Sequence, residues 1–204
     1  MKILAISCSP RRAGNTMAIL REVVRGAEDM QADAELYSVS GKSIQPCDGC
    51  WACAGTGICH IKDDMQELYE KMVMADGIVF GTPIYFWGMT AQAKTVLDRT
   101  IALNHPDRNL TNKVAGVVAV CGSLGLVDAL KDYSYFFIQR RMLPANQVSA
   151  YVRDPDELEN MPELMKAAFR LGQQMTALVN KGFRYPEEYI ERHGAFGTNR
   201  KQAE

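Results

Sequence analysis

The sequence predicts an α/β fold: a doubly wound parallel sheet of five strands with helices on both faces. Strand-like and helix-like segments alternate along the chain, and right-handed crossovers then place helices on both sides of a parallel sheet. The strand segments are short and almost wholly apolar, which is typical of strands covered on both faces. The chain has 204 residues, of which 47% are hydrophobic. That is enough for one well-buried core, and we expect one domain.

The first predicted strand, Lys2 to Ser7, is a short apolar run that ends at a polar Ser-Pro-Arg turn. A helix follows from Asn15 to Met30, where apolar residues recur at gaps of three and four. Ala34 to Val39 is predicted as the second strand, and a cysteine-rich loop comes after it. Asp63 is predicted to cap a second helix with Gln66 at its third position. The predicted apolar side of that helix comprises Met65, Leu68, Met72 and Val73.

The second half of the chain repeats the alternation. Three further apolar runs are predicted as strands: Gly77 to Gly81, Val114 to Cys121 and Gln147 to Val152. Helical periodicity predicts three more helices: Thr90 to Leu103, Val127 to Arg141 and Met161 to Lys181. We therefore expect one domain over residues 1–182, with the cysteine-rich loop at 46–60. A polar tail without regular period is expected over residues 183–204.

Charge and composition exclude two classes of partner. The net charge of −1 and the pI near 6.3, with scattered Lys and Arg, lack the basic footprint of nucleic-acid-binding proteins. No apolar run approaches the ~18 residues of a membrane span. The N-terminus enters a strand pattern instead of a charged and then apolar leader. We expect no nucleic acid, no membrane and a cytoplasmic location.

The loop after the first strand, Ser7 to Thr16, is the first candidate binding site. Ligands of a doubly wound sheet lie beyond the carboxyl ends of the strands. This loop enters a helix, whose free backbone N–H groups and positive dipole end favour an anion. A capped helix start with solvated arginines is the structural alternative. The polar side chains that suit a phosphate dianion are Ser7, Ser9, Arg11, Asn15 and Thr16.

Spacing argues against three other phosphate-binding loops. The dinucleotide fingerprint needs three glycines, and this loop has only Gly14. The triplet at 41–43 resembles the end of a P-loop, but Leu36 stands where the earlier glycine is required. A phosphatase-type loop would need an arginine six positions after Cys8, where Gly14 stands. We therefore interpret Cys8 as a packing residue and the loop as a site for a mononucleotide phosphate.

The loop after the third strand places three consecutive aromatic residues at the same end of the sheet. An isoalloxazine ring needs a flat apolar platform with backbone polar groups at its edge, which predicts FMN as the mononucleotide. A subunit interface is the alternative role for these aromatics, and both roles can hold together. Gly122 and Ser123 after the fourth strand are expected on the other side of the ring; alone they also fit an ordinary turn. The predicted ring site comprises Thr82, Pro83, Ile84, Tyr85, Phe86, Trp87 and Gly88.

Four of the six cysteines lie within thirteen positions, in a C-x2-C-x2-C-x5-C pattern. Disulfides are not expected without a secretory signal. Four thiolates suit a [4Fe–4S] cluster or tetrahedral zinc, and three cysteines in close succession favour the cluster. Zinc and metal-free thiols remain the alternatives, and His60 is interpreted as a surface or outer neighbour of the ligands. The predicted ligands are Cys47, Cys50, Cys53 and Cys59.

Over residues 1–180 the chain resembles the flavodoxin-like NADPH-dependent FMN reductase family. The resemblance rests on S-x-R-x-x-x-N-T, from Ser9 to Thr16, and on T-P-I-Y, from Thr82 to Tyr85. The cysteine spacing and the following Asp63-Asp64-Met65 are similar to the iron–sulfur flavoprotein branch. The resemblance implies that the first loop holds the FMN phosphate and the second the ring. It also implies NAD(P)H as a possible donor and a homo-oligomer, dimer or tetramer, with FMN near a subunit interface.

These features together predict an FMN-dependent electron-transfer iron–sulfur flavoprotein. It would pass electrons between a ferredoxin-like or NAD(P)H donor and a small-molecule acceptor. No side-chain general acid is required, and no catalytic residue is predicted. One alternative is an NAD(P)H-dependent FMN or quinone reductase without a cluster. The other is a non-catalytic flavin carrier that senses redox state through the cysteine loop.

Overall fold

The computed structural model describes residues 1–186 and contains a parallel sheet of five strands. The strand order is the second, first, third, fifth and sixth in the chain, and the short fourth strand pairs antiparallel with the third. This arrangement confirms the predicted fold class. The strands are β1 (Lys2–Ser7), β2 (Asp33–Ser38), β3 (Gly77–Tyr85), β4 (Gly88–Met89), β5 (Val114–Cys121) and β6 (Leu143–Tyr151).

Helices cover both faces of the sheet. They are α1 (Asn15–Asp29), α2 (Met65–Met74), α3 (Ala91–Arg99), α4 (Leu126–Arg140) and α5 (Pro162–Asn180), with 3₁₀ turns at Thr100–Asn104 and Pro155–Asn160. One core lies between the sheet and α1 with α5, and the other between the sheet and α2, α3 and α4. In β1, Ile3 and Ala5 enter the first core, whereas Leu4 and Ile6 enter the second. The alternation follows the two-residue period of a strand.

Helices α1 and α5 approach each other closely at two glycines. A β-carbon on Gly26 would lie 1.8 Å from the carbonyl oxygen of Phe169, and one on Gly172 would lie 1.9 Å from that of Val23. Any side chain at either position would force the two backbones apart. The missing side chains therefore set the spacing of this helix pair.

Several predicted boundaries are wrong. β3 continues to Tyr85 because it pairs with β5 as far as Pro83 and then with β4, so residues 82–85 are strand and not loop. β6 begins at Leu143 instead of Gln147, on a largely exposed edge strand with an irregular register. The residue immediately before helix α2 is Asp64 and not Asp63, and the Asp64 side chain makes no capping hydrogen bond. Val73 was placed on its apolar side but is 40% exposed.

The predicted polar tail over residues 183–204 is described only as far as residue 186, and the remainder lies outside the described residues. In the described part, one contact lies within the tail and another joins the tail to the rest of the chain. The rings of Phe183 and Tyr185 lie 5.1 Å apart, and the Tyr185 amide donates to Asn112 Oδ1 at 2.8 Å. Across residues 1–186, no helix is both long and apolar enough to cross a membrane.

Candidate functional site

The β1–α1 loop is fixed by hydroxyl groups from its neighbours. Thr90 Oγ1 donates to the carbonyl oxygen of Cys8 at 2.8 Å, and Ser40 Oγ donates to that of Pro10 at 2.7 Å. Within the loop, Ser9 Oγ accepts from the Arg11 amide at 3.2 Å. The backbone therefore has a defined shape before any ligand binds.

Several features of this loop fit an anionic group. Helix α1 begins after Gly14 without a side-chain cap and without an acidic residue in its first turn, so its first amides are open to a ligand. Ser7 Oγ and Asn15 Oδ1 are buried without a hydrogen-bond partner. An unpaired buried polar atom costs about 1–3 kcal/mol. A bound phosphate would accept a hydrogen bond from the Ser7 hydroxyl, and also from the Asn15 amide nitrogen once the oxygen and nitrogen of that amide are exchanged by a flip. The buried hydroxyl of Thr16 lies in the same first turn.

The side chains of Arg11 and Arg12, the two arginines of the loop, point in different directions. A β-carbon on Gly14 would lie 3.7 Å from Arg11 Cβ, so the Arg11 stem lies over the start of α1. A β-carbon on Gly41 would instead lie 2.8 Å from Arg12 Nη2, which places that guanidinium at the turn after β2. Arg11 is thus the arginine near the predicted phosphate site, and Arg12 provides a neighbouring control.

Phe86 and Trp87 form the two-residue turn between β3 and β4. Both have positive φ, 45° and 66°, as a type I′ hairpin turn requires. This conformation is strained for bulky residues, and such strain clusters at functional sites. Phe86 is 94% exposed and Trp87 is 64% exposed. The structure therefore places two aromatic rings in the open at the sheet end, as a flat ligand would require.

The rest of the predicted ring site supports this hairpin. The buried Thr82 hydroxyl donates to the Pro83 carbonyl oxygen at 2.8 Å and accepts from the Thr90 amide at 3.2 Å, so it fixes the hairpin. Ile84 and Gly88 are half-buried where β3 pairs with β4. Gly125 has φ +93° and lies so close to Trp87 that a β-carbon would be 2.2 Å from its Cα.

That close approach brings the β5–α4 loop, with Gly122 and Ser123, against the hairpin. The Ser123 amide donates to Cys121 Sγ at 3.4 Å. The Gly122 carbonyl oxygen accepts from Arg153 Nε at 2.9 Å. Sequence reasoning missed Arg153, which no motif marks.

The four clustered cysteines are all free, and they differ in exposure. Cys47 and Cys50 are exposed, Cys59 is half-buried and Cys53 is buried. Burial raises the pKa of Cys53, and the nearby Cys59, Cys47 and Cys50 also raise it. A set of four soft thiolates suits an iron–sulfur cluster or zinc.

The sulfurs are not gathered into a tight metal site. Within residues 1–186, one group of three possible ligand atoms lies within 4.8 Å, and it is formed by Asp48, Cys50 and His60. Sulfurs bound to one zinc ion would lie about 3.8 Å apart, given Zn–S bonds near 2.3 Å. His60 Nε2 pairs with Asp48 Oδ2 at 2.7 Å, and Asp48 Oδ1 accepts from the Cys50 amide at 3.2 Å. His60 thus lies on the surface beside a predicted ligand.

Arg99, at the end of α3, is a second residue near the candidate sites that sequence reasoning missed. Its side chain is fully buried and forms a two-pronged pair with Asp63: Nη1 to Oδ2 at 2.8 Å and Nη2 to Oδ1 at 3.1 Å. Burial raises the pKa of Asp63, but hydrogen bonds from Arg99 and two backbone amides outweigh it and hold that pKa below its usual value. Asp63 Oδ1 also accepts from the Met65 amide at 3.1 Å, so the same carboxylate binds the first residue of α2.

A cavity of about 680 Å³ lies between the cysteine loop, α3 and α4. It reaches Met89, directly after the aromatic hairpin. It therefore joins the surroundings of the thiols to those of the predicted ring site. Its mainly apolar lining includes Trp51, Met89, Leu97, Ile101, Tyr135 and Phe136.

Comparisons with known proteins agree with this architecture. Residues 1–155 match the model of the NADPH-dependent FMN reductase family. An iron–sulfur flavoprotein of Methanocaldococcus jannaschii is 34% identical over 189 residues, covering 88% of this chain and 97% of that protein. An iron–sulfur flavoprotein of Archaeoglobus fulgidus is 36% identical, covering 79% of this chain and 87% of the relative.

Solved structures show the same fold. A flavone reductase has a TM-score of 0.69 at 24% identity, covering 95% of this chain and 66% of its own. A flavodoxin from Archaea has a TM-score of 0.59 at 16% identity, covering 88% and 99%. The family match and the relatives of similar length confirm the resemblance drawn from the motifs. The chain belongs to the NADPH-dependent FMN reductase family, in the branch of the iron–sulfur flavoproteins, and is a flavin-dependent oxidoreductase.

Proposed function

We propose that this oxidoreductase is an FMN-dependent electron-transfer protein that also uses its cysteine loop to hold an iron–sulfur cluster. It passes electrons between a ferredoxin-like or NAD(P)H donor and a small-molecule acceptor. The observation that carries the proposal is the β1–α1 loop, where Ser7 Oγ and Asn15 Oδ1 are buried and unpaired beside the uncapped start of α1. The exposed aromatic hairpin at the same end of the sheet supports a flavin as the bound mononucleotide.

In this proposal the chain binds and orients FMN, which supplies two-electron and one-electron chemistry. The phosphate is held by the open amides of α1 together with Ser7, Ser9, Arg11, Asn15 and Thr16. The ring lies against the hairpin from Pro83 to Gly88, with Gly122 and Ser123 opposite. Thr82 acts through the hairpin that it fixes. No side chain is assigned as a general acid, so binding, orientation and exclusion of water are the roles of the protein.

The proposed ligands of the cluster are Cys47, Cys50, Cys53 and Cys59. A [4Fe–4S] group supplies one-electron transfer and takes four thiolates. All four are free thiols within one loop of thirteen residues, which supports them as a ligand set. The relatives named iron–sulfur flavoproteins are a second line of support.

We also propose a homo-oligomer with the flavin near a subunit interface. Large apolar side chains are exposed on the hairpin and on α4, which lie side by side because Gly125 contacts Trp87. Exposed apolar surface of this kind marks interaction sites. The residues concerned are Phe86, Trp87, Val127, Tyr135 and Ile138, all at least 60% exposed.

Anaerobic purification followed by flavin, iron and sulfide analysis tests the proposal. We expect about one FMN and about four iron atoms per chain, with broad absorbance beside the flavin bands. FMN without iron or sulfide, even after anaerobic reconstitution, would refute the cluster. Absence of bound flavin in protein supplied with FMN would refute the whole proposal.

The second candidate is an NAD(P)H-dependent FMN or quinone reductase with structural thiols. Its supporting observation is that Cys47 and Cys50 are exposed as free thiols. Rapid bleaching of bound FMN by NADPH, unchanged in Cys47→Ala, would favour this candidate. Slower electron delivery to acceptors in Cys47→Ala, with equal flavin content, would favour the cluster.

A further inference from the structure

The buried guanidinium of Arg99 binds both ends of the cysteine loop, 46–60. Before the loop, Nη1 donates to the Gln45 carbonyl oxygen at 2.8 Å. After it, Nη2 donates to the Ile61 carbonyl oxygen at 3.4 Å, and both nitrogens pair with Asp63. Nε donates to Tyr69 Oη at 3.2 Å. One side chain thus connects segments that lie sixteen positions apart in the sequence.

Asp63 closes the same connection from the loop side. Its Oδ2 also accepts from the Gln45 amide at 2.8 Å, so the two ends are joined directly as well as through Arg99. The side chains of Arg99 and Asp63 are 0% and 3% exposed. Because water cannot replace these hydrogen bonds at a buried site, the loop ends are held in one geometry. An arginine fork suits this task, since a lysine offers a point charge without the planar set of donors.

The opposite end of α3 is bound to the predicted flavin site. Thr90, the cap of α3, accepts from the Ala93 amide through Oγ1 and donates through the same atom to the Cys8 carbonyl oxygen. Its amide donates to Thr82 Oγ1. At 1.5 Å per residue, the nine residues of α3 span about 14 Å. One short helix therefore connects the flavin loops to the cysteine loop.

We propose that Arg99 is a positioning residue that sets the cysteine loop, through α3, at a fixed place relative to the flavin loops. The proposal deepens the proposed function, because it concerns how the thiols are presented for metal binding. In this role Arg99 is not a cluster ligand but acts through the backbone at Gln45 and Ile61. Its loss would loosen the thiols while the phosphate loop remains intact.

The test uses the full chain loaded with FMN, as wild type, Arg99→Lys and Asp63→Asn, with Tyr69→Phe as a milder third variant. Lys131→Ala is the control, because Lys131 lies on α4 in an exposed ion pair with Asp128. Metal-free, reduced protein is first treated with iodoacetamide, and alkylation of each cysteine is followed by mass spectrometry. Buried Cys8 is the internal marker of intact folding. A separate, unalkylated sample of each protein is reconstituted with iron and sulfide, and its iron content and absorbance spectrum are measured.

In Arg99→Lys we expect alkylation of Cys53 to rise at least tenfold, with Cys8 protected and FMN content unchanged. Iron uptake should fall at least threefold, and the cluster absorbance should weaken and broaden. Asp63→Asn should change in the same direction, and Lys131→Ala should match wild type. Alkylation of Cys53 within twofold of wild type in both Arg99→Lys and Asp63→Asn would overturn the proposal. If wild type takes up no iron but alkylation of Cys53 still rises tenfold in Arg99→Lys, the positioning role is supported and the cluster is refuted.

Discussion

At the scale of single residues, Asp63 and Arg99 form an ion pair in which both side chains are buried. A buried ion pair contributes little over an apolar alternative, but removing one partner typically costs about 3–5 kcal/mol because a charge is left buried. Here both carboxylate oxygens also accept backbone amides, from Gln45 and Met65. These hydrogen bonds favour the carboxylate over the carboxylic acid in the folded protein.

This preference predicts a pH dependence of stability. Burial opposes the charge of Asp63, but the hydrogen bonds from Arg99 and the amides outweigh it, so its pKa is lower when folded than when unfolded. The stabilisation is then complete above about pH 4, the ordinary carboxyl range, and is lost as the pH falls through the folded pKa. We expect Asp63→Asn to lower the free energy of unfolding by about 3 kcal/mol near neutral pH.

Urea unfolding of wild type and Asp63→Asn between pH 3 and 7 measures the effect. The difference between the two proteins should be constant above about pH 5 and should shrink at more acidic pH. The control is Asp128→Asn, in an exposed pair with Lys131, which should change stability by less than about 1 kcal/mol. A difference for Asp63→Asn that stays constant down to pH 3 would contradict this account.

Cys8 shows what spacing alone can predict about one residue. Gly14, and not an arginine, stands six positions after Cys8, which argues against Cys8 as a phosphatase-type nucleophile. In the structure Cys8 is fully buried, and burial raises its pKa to about 12. Because the thiolate is the reactive form, this thiol is inert at neutral pH, as expected of a packing residue.

At the scale of elements, the close contact of α1 and α5 sets the position of the helix that begins the predicted phosphate site. Gly26→Ala would normally strengthen a helix by about 1 kcal/mol. Here the added methyl group would overlap the Phe169 carbonyl oxygen. We therefore expect the opposite sign, a net loss of about 1–3 kcal/mol in the free energy of unfolding.

Chemical unfolding of Gly26→Ala beside Glu28→Ala, an exposed position on the same helix, separates packing from helix propensity. Glu28→Ala should change stability by less than about 0.5 kcal/mol. A more stable Gly26→Ala protein would show that the two helices can move apart without cost.

The sequence predicts the aromatic residues at the end of the sheet where they lie, but it predicts a loop where the structure has a β-hairpin. Thr82 to Tyr85 is predicted as loop, whereas in the structure these residues continue β3, where Pro83 pairs with Val120. The hairpin itself has no recognisable turn residues: Phe86 and Trp87 adopt positive φ where Asn-Gly would be expected. Tertiary contacts, including the close approach of Gly125, hold this turn in place. Local propensity could not predict it.

At the scale of the whole molecule, alternation of strands and helices was sufficient to predict the sheet and its two helical layers. The candidate sites could be located because parallel strands bring their following loops to one edge. The link between the sites could not be predicted. Arg99 and Asp63 lie 36 positions apart, and an arginine at the end of a helix carries no sign of a distant buried carboxylate. Such contacts exist only after the chain has folded.

The central claim is that the β1–α1 loop holds the phosphate of FMN, and a comparison of FMN with riboflavin tests it most directly. The two flavins differ in the phosphate alone, so the ratio of their dissociation constants isolates its contribution. Fluorescence titration of flavin-free wild type, Arg11→Ala and Arg12→Ala gives this ratio for each protein. Arg12 is the matched control because its guanidinium lies at Gly41.

We expect wild type and Arg12→Ala to prefer FMN strongly. A charge-assisted hydrogen bond contributes about 1.5–3 kcal/mol, so Arg11→Ala should reduce the preference by about 10- to 100-fold while riboflavin affinity stays the same. An unchanged preference for FMN in Arg11→Ala would contradict the assignment of the phosphate to this loop.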